Sequence, residues 1–414
     1  MLIQGLRPVG FRDVRESTLA DYLVEHPELF ARLGGRPAAW RIEEVSYGPL
    51  SRVLIAVGPE GAVCVKQALP YGQLTDEAMP LPLDRMAFEE GALNLYARLA
   101  PDLVPRVLMY DSERCLLVME HLAAHVPLSR LFADGTPCPA FPAEAARFLA
   151  EILFRTSDLG MAGVEKRERM AYFGGKAELI KVIEGLIFVE PYIDNPRNRW
   201  TSPHLDDLVA ELRADAELRH AVALLGLKFL AEPQALIHGG LDLDAFLVTA
   251  DDVRVIDPKF AIFGPIGFDV GTVLGHLLLA HFAQAGTDVG AWALEAIESV
   301  WRGFQDHFLG LWRVHHAGDA FPPALFVGPD GQKALELAQA DFMRSVFVDS
   351  LRFAAAAMIS RTIGHFPATE FEAIEDPEFR AAAERRALLL ARELLKDAHH
   401  VHDLGEVTAV AREL

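Results

Sequence analysis

Cysteine is scarce in this 414-residue chain: only Cys64, Cys115 and Cys138. Three thiols with no close pair exclude a disulfide framework and a cysteine zinc site. Basic residues are also few. There are 39 lysines and arginines against 59 acids, a formal net charge of −20. Duplex binding relies on a basic surface to neutralise phosphates, so generic nucleic-acid binding is excluded. A small anion is not, because the local field in a cleft can oppose the global charge. The start, "MLIQGLRPVGFRDVRE", lacks an apolar signal core. The most apolar stretch, "VGTVLGHLLLAHFAQAG", is short for a membrane span and interrupted by histidine. No membrane association is therefore expected, and the location expected is cytoplasmic. No period of 20–50 residues and no low-complexity tract breaks the chain.

With 51% hydrophobic residues the chain can bury a large core in one or two domains. Residues 10–35 read as a leading helical segment closed by Gly34-Gly35. "WRIEEVSYGPLSRVLIAVGPEGAVCVKQAL" carries β-branched alternating runs around Gly-Pro-Glu-Gly, a hairpin ending at Lys66. "DRMAFEEGALNLYARLA" has apolar residues at helical spacing. "VPRVLMYD" and "CLLVMEHL" read as two further strands. From about Pro127 the pattern turns helical. The expectation is an α+β fold of two lobes, a mixed sheet-and-helix lobe over 1–122 and a mainly helical lobe over 123–414. A cleft between lobes is a common place for a small-molecule site.

The richest segment is "LIHGGLDLDAFLVTADDVRVIDP", residues 236–258. "AFLVT" and "VRVID" read as strands joined by a tight acidic turn. Such a hairpin would bring residues 238–245 toward Asp257. In phosphoryl transfer one carboxylate positions the acceptor hydroxyl and another holds Mg²⁺ on the phosphates. Asp257 suits the metal role, and capping the turn before Pro258 is the plainer reading. Asp242 and Asp244 alternate with leucines and so share a face. Metal ligation and simple solvation both fit them. His238 is a candidate base, although a histidine there more often packs within a turn. Asp269 in "GFDVG" reads best as the cap of the helix that follows. Lys66 at a strand end would aim its ammonium at a cleft or snorkel to solvent. Glu89 and Glu90 are alternative partners for it. "VMEHL", residues 118–122, can offer backbone groups to an adenine ring or serve as a plain linker.

These stretches occur in one order with "KQALPYG", "RTSDLG", "IFVEPY", "AEPQALIHG", "FGPIGFDVGTVLGHLLLAHF", "MISRTIG" and "IEDPEFRAAAERRAL". The series resembles the 5-methylthioribose kinase family, of the aminoglycoside-phosphotransferase and choline-kinase group with a protein-kinase-like fold. The likeness runs over nearly the whole chain. It implies a homodimer that uses ATP and Mg²⁺ to phosphorylate the anomeric hydroxyl of methylthioribose. It places Lys66 on the α/β-phosphates with Glu89 as its partner, and Met119, Glu120 and Leu122 beside adenine. Asp257 would bind the metal and Arg361 the sugar.

The departures fall on the chemistry. The family's His-Gly-Asp-Leu-His-x-Gly-Ser is here His238-Gly239-Gly240-Leu241-Asp242-Leu243-Asp244-Ala245. Gly240 thus stands where the family has its catalytic aspartate, and it is a candidate substrate-binding residue with Arg361. The family's Asp-Pro-Glu is Asp257-Pro258-Lys259, an ammonium for a carboxylate. The phosphate-covering loop is "SYGPLSR", where Pro49 removes a backbone donor. The first sugar-binding arginine is Ser360. Three functions are compatible with this pattern. One is a repurposed protein acting on a nucleotide, nucleoside or ribose-like metabolite, with Lys259 standing for metal charge and Asp242 or Asp244 as acid or base. The second is a non-catalytic partner of a true kinase. The third is a methylthioribose kinase with relocated carboxylates.

Overall fold

The computed structural model describes residues 11–47, 50–72, 79–80, 82–315 and 317–414. Gly48 and Pro49 of the expected phosphate-covering loop lie outside the described residues. The chain forms two compact units. The smaller holds the described residues up to Ala124 together with Ile256–Lys259, and the larger holds His125–Val255 and Phe260–Leu414.

In the smaller unit the leading segment is two helices, α1 (Glu16–Val24) and α2 (Pro27–Leu33), broken at Pro27. The next stretch forms three strands where a hairpin was expected: β1 (Arg41–Tyr47), β2 (Ser51–Val57) and β3 (Ala62–Ala68). Helix α3 (Arg85–Leu99) follows, then β4 (Val107–Asp111) and β5 (Leu116–Glu120). The sheet order is β1-β2-β3-β5-β4, antiparallel throughout. Strand alternation divides its faces. Leu54, Ala56, Val63, Val65, Leu116 and Val118 pack against Leu19, Leu23, Leu29 and Leu33 of the leading helices. The intervening residues of β3, Cys64 and Lys66, therefore look the other way. Lys66 meets α3 there, and it lies inside β3 rather than at its end.

In the larger unit, β6 (Ala235–Ile237) pairs with β9 (Ile262–Gly264), and the expected hairpin is β7 (Phe246–Val248) with β8 (Val253–Val255). Its turn closes by Thr249 N–H donating to Asp252 O at 2.9 Å. The core is helical. Helix α4 (Phe141–Arg155) packs on α6 (Asp288–Val314), and α5 (Ile266–Ala283) packs on α7 (Gly331–Ile363). Helix α5 is buried over nearly its whole surface. It is longer than the sequence suggested, because it starts at Ile266. Its 18 residues, mean hydropathy 1.4, are long and apolar enough to cross a membrane, but 94% of that window is buried inside the protein. It is a core helix. Gly267, Gly271 and Gly275 line its contact with α7. A β-carbon at Gly267 would stand 2.6 Å from Asp349 Cβ, and one at Gly275 would stand 2.8 Å from the Ala354 carbonyl oxygen. This stripe lets the two backbones approach closely.

Candidate functional site

The residues singled out by the sequence fall into two groups, one in each unit. In the smaller unit the charged group is Lys66, Glu89, Asp257 and Lys259. Lys66 Nζ donates to Glu89 Oε1 at 2.6 Å and also to Asp257 Oδ1. Lys259 Nζ donates to Asp257 Oδ2. Glu89 is thus the partner on α3, while Glu90 accepts from Asn94 Nδ2. Helical geometry separates the two by about 100°, so one of them must turn away from β3. Lys66 and Glu89 are almost fully buried, with side-chain exposures of 6% and 3%.

Burial pushes Glu89 up, and Lys66 opposes this without cancelling it. Burial also pushes Asp257 up, but the ammoniums of Lys259 and Lys66 outweigh it and hold its carboxyl well below the usual range. For Lys66 burial works against the charge, and Asp257 and Glu89 overcome it, raising its pKa. Asp257 has φ +67°, in the left-handed region. Aspartate tolerates that region better than most residues, and such outliers concentrate at functional sites. At the end of β5, Met119 is nearly buried between Cys64 and Val107. Glu120 turns its carboxylate onto Arg106, accepting the Arg106 N–H at 3.0 Å, so its side chain is spent on β4's entry. Leu122 follows two residues beyond the strand.

In the larger unit, the loop after β6 is held from beneath. Asp269 accepts the His238 N–H at 2.6 Å and the Gly239 N–H at 3.0 Å. This corrects the capping expectation. Helix α5 begins at Ile266, so Asp269 is already inside its first turn and anchors a different segment. Burial pushes its carboxyl up to about 7, although the two N–H donors act the other way. His238 is 1% exposed, a packed residue rather than one presented to solvent. Gly239 has φ +80°, and a β-carbon there would come 2.6 Å from the Phe260 carbonyl oxygen, so glycine is required. At Gly240 a β-carbon would lie 3.2 Å from Phe260 Cδ2. The Phe260 ring therefore lies beside Gly240 and would crowd a larger side chain there.

Asp242 caps the short turn Leu243–Ala245 by accepting the Ala245 N–H at 3.1 Å. Asp244 takes the Ser129 hydroxyl. Both acids thus have local structural partners. Asp242 also lines a cavity of about 130 Å³ with Gly240, Phe260 and Arg361, whereas Asp244 is absent from its lining. Its apolar wall is Ile183, Leu186, Ile187, Phe268, Ala357 and Phe366. Ser360 donates to the Leu186 carbonyl at 2.8 Å and so ties α7 to that wall. Sequence reasoning missed His276 and Thr272, which α5 presents to the cavity. The interruption of an apolar run by His276 was the available signal. Burial and the Arg361 charge hold this imidazole well below its usual pKa, hence neutral. Its Nδ1, and Nε of Arg361, are buried with no hydrogen-bond partner among the described residues.

The raised Asp269 carboxyl carries a signed pH effect. Its pKa is about 4 when unfolded and about 7 when folded, so the folded state binds the extra proton between those values. Stability from this group therefore falls as pH rises from about 4 to about 7. In urea titrations at pH 5 and pH 7.5, Asp269→Asn should show a shallower loss over that window than the native chain.

A family model for the phosphotransferase enzyme family matches residues 77–304. Methylthioribose kinase of Escherichia coli O45:K1 (strain S88 / ExPEC) is 38% identical over 98% of this chain and 98% of its own length. Methylthioribose kinase 1 of Oryza sativa subsp. japonica is 37% identical over 96% of this chain and 94% of its own. Among solved structures, a choline/ethanolamine kinase family protein from Mesorhizobium loti covers 96% of this chain and 99% of its own, with TM-score 0.43 and 14% identity. The full-length identity to the kinases of a bacterium and a plant, with the family match across both units, establishes that this chain is a member of the methylthioribose kinase family of phosphotransferases, with an α+β, protein-kinase-like fold.

Proposed function

We propose that this chain binds a ribose-like sugar carrying an apolar substituent in the cavity of its larger unit, and that ordinary metal-dependent phosphate transfer to that sugar is lost or strongly reduced. The observation that carries the reading is the cavity's lining. His276 and Arg361 both line the cavity beside its apolar wall, and each also carries a buried polar atom, Nδ1 and Nε, with no partner among the described residues. Each such atom costs about 1–3 kcal/mol when buried unpaired, and a rotation of either side chain toward a ligand hydroxyl would recover part of it. Ile183, Leu186, Ile187 and Phe366 would take an apolar group. The curated relatives are methylthioribose kinases, and a methylthio-sugar combines both kinds of surface.

The reduced transfer follows from Gly240. Loss of a carboxylate that positions the acceptor costs about 10²–10⁴ in rate. The test is calorimetric titration with 5-methylthioribose, ribose and adenosine, alongside ³¹P NMR with ATP and Mg²⁺. Methylthioribose should bind most tightly, Arg361→Ala should weaken it about tenfold or more, and no sugar phosphate should accumulate. Equal or absent binding of all three compounds would overturn the reading.

A second reading has one observation behind it: Asp242 lines the same cavity. It would make Asp242 the substitute carboxylate of an active sugar kinase. Turnover in the NMR experiment that disappears in Asp242→Asn would establish it in place of the first.

A further inference from the structure

The family resemblance implies ATP and Mg²⁺, and the smaller unit's residues do not fit the metal. Mg²⁺ demands near-octahedral oxygen ligands at about 2.0–2.1 Å. Asp257 has two carboxylate oxygens, and an ammonium is bonded to each: Lys66 on Oδ1 and Lys259 on Oδ2. Glu89 Oε1 is bonded to Lys66. Lys259 itself has N–H donors and no lone pair to give. A divalent ion at Asp257 would have to share each carboxylate oxygen with an ammonium and stand beside two positive charges.

The charge balance of the group leaves no deficit for a metal to cancel. Two ammoniums, Lys66 and Lys259, face two carboxylates, Glu89 and Asp257, and the sum is zero. A glutamate at 259, as the related pattern has, would set one ammonium against three carboxylates. That leaves two negative charges, the deficit a divalent cation cancels. Lysine in place of glutamate changes the charge by the same amount and fixes it to the backbone. The Lys259–Asp257 pair is also the reachable part of the group. Their side chains are 27% and 31% exposed, against 6% for Lys66.

We propose that Lys259 is a tethered replacement for the divalent ion, so that the smaller unit holds a nucleoside phosphate through ammonium groups with no metal bound. This rests on the smaller unit's residues alone and stands independently of what the sugar cavity binds.

The experiment uses the full chain with two probes: Mn²⁺ alone, followed by electron paramagnetic resonance, and ADP, followed by calorimetry in EDTA and in excess Mg²⁺. The native chain should show no Mn²⁺ site sensitive to Asp257→Asn. Its ADP affinity should agree within about twofold between the two buffers. Lys259→Glu should gain an Mn²⁺ site that Asp257→Asn removes, and its ADP affinity should become dependent on Mg²⁺ by about tenfold or more. Lys259→Met covers the case in which Lys259→Glu does not fold. It should weaken ADP in EDTA by about tenfold while leaving the melting curve cooperative. An Asp257-dependent Mn²⁺ site in the native chain, ADP binding that needs Mg²⁺, or no ADP binding in EDTA would each overturn the proposal.

Discussion

Lys66→Met is expected to destabilise the smaller unit by about 3–5 kcal/mol, the usual cost of removing one partner from a buried ion pair. The reason is what it leaves behind. Glu89 is 3% exposed and would face an apolar side chain. Burial already pushes its pKa up with Lys66 present, and the loss of that ammonium pushes it further. Folding of the variant is then coupled more strongly to protonation of Glu89. Above the carboxyl's unfolded pKa that proton has to be taken from solvent, and the requirement grows with pH. The deficit relative to the native chain should therefore be larger at pH 8 than at pH 5. Urea denaturation at the two pH values measures it, and hydrogen exchange at residues 62–68 places it on β3. Lys66→Met with Glu89→Leu should recover most of the loss, because two apolar partners leave no buried charge. If the single variant were as stable as the native chain at pH 8, the bridge would contribute nothing net.

The second large effect is expected at Gly271. A β-carbon there would overlap the Ser350 carbonyl oxygen and stand 2.9 Å from both Ala354 N and Phe353 Cβ. Two of these three atoms are helix backbone, which cannot rotate out of the way as a side-chain end can. Gly271→Ala should cost about 1–3 kcal/mol or more through overpacking. The gain in helix propensity returns at most about 1 kcal/mol. Gly310 provides the contrast inside α6: nothing lies within 4 Å of a β-carbon built there. Gly310→Ala should stabilise the chain by up to about 1 kcal/mol, since only the propensity gain applies. Thermal unfolding of the two variants against the native chain should move in opposite directions. A neutral Gly271→Ala would mean that α5 and α7 can separate without penalty.

Local pattern carried much of this fold, and the particular residues show where it stopped. The β7–β8 hairpin was legible because two short β-branched runs flank an acidic turn. Helix α3 was legible from its spacing, and so was the presence of a glutamate opposite Lys66. Spacing alone left two adjacent glutamates open, because the choice depends on how α3 is rotated against β3, and it was the family resemblance that pointed to Glu89. The role of Asp269 was hidden for a similar reason. Its partners, His238 and Gly239, are about thirty positions earlier, and only tertiary packing brings them to it. The cavity draws on residues near 183–187, 239–242, 268–276 and 357–366, and no one-dimensional period links such distant segments. Gly240 and Lys259 were visible as letters. Their physical meaning, a phenylalanine ring over one and a carboxylate shared with the other, needed coordinates.

The smaller unit takes four residues, Ile256–Lys259, from the middle of a sequence that otherwise belongs to the larger. This has a consequence for how such chains can be cut and recombined. No single crossover in the gene exchanges one unit for a homologous one. A chimaera joined near residue 124 would carry Lys66 and Glu89 from one parent and Asp257 and Lys259 from the other. The two pairs of charges must therefore change together, and a lysine arriving at 259 is inherited with the whole helical half of the protein rather than with the sheet it serves.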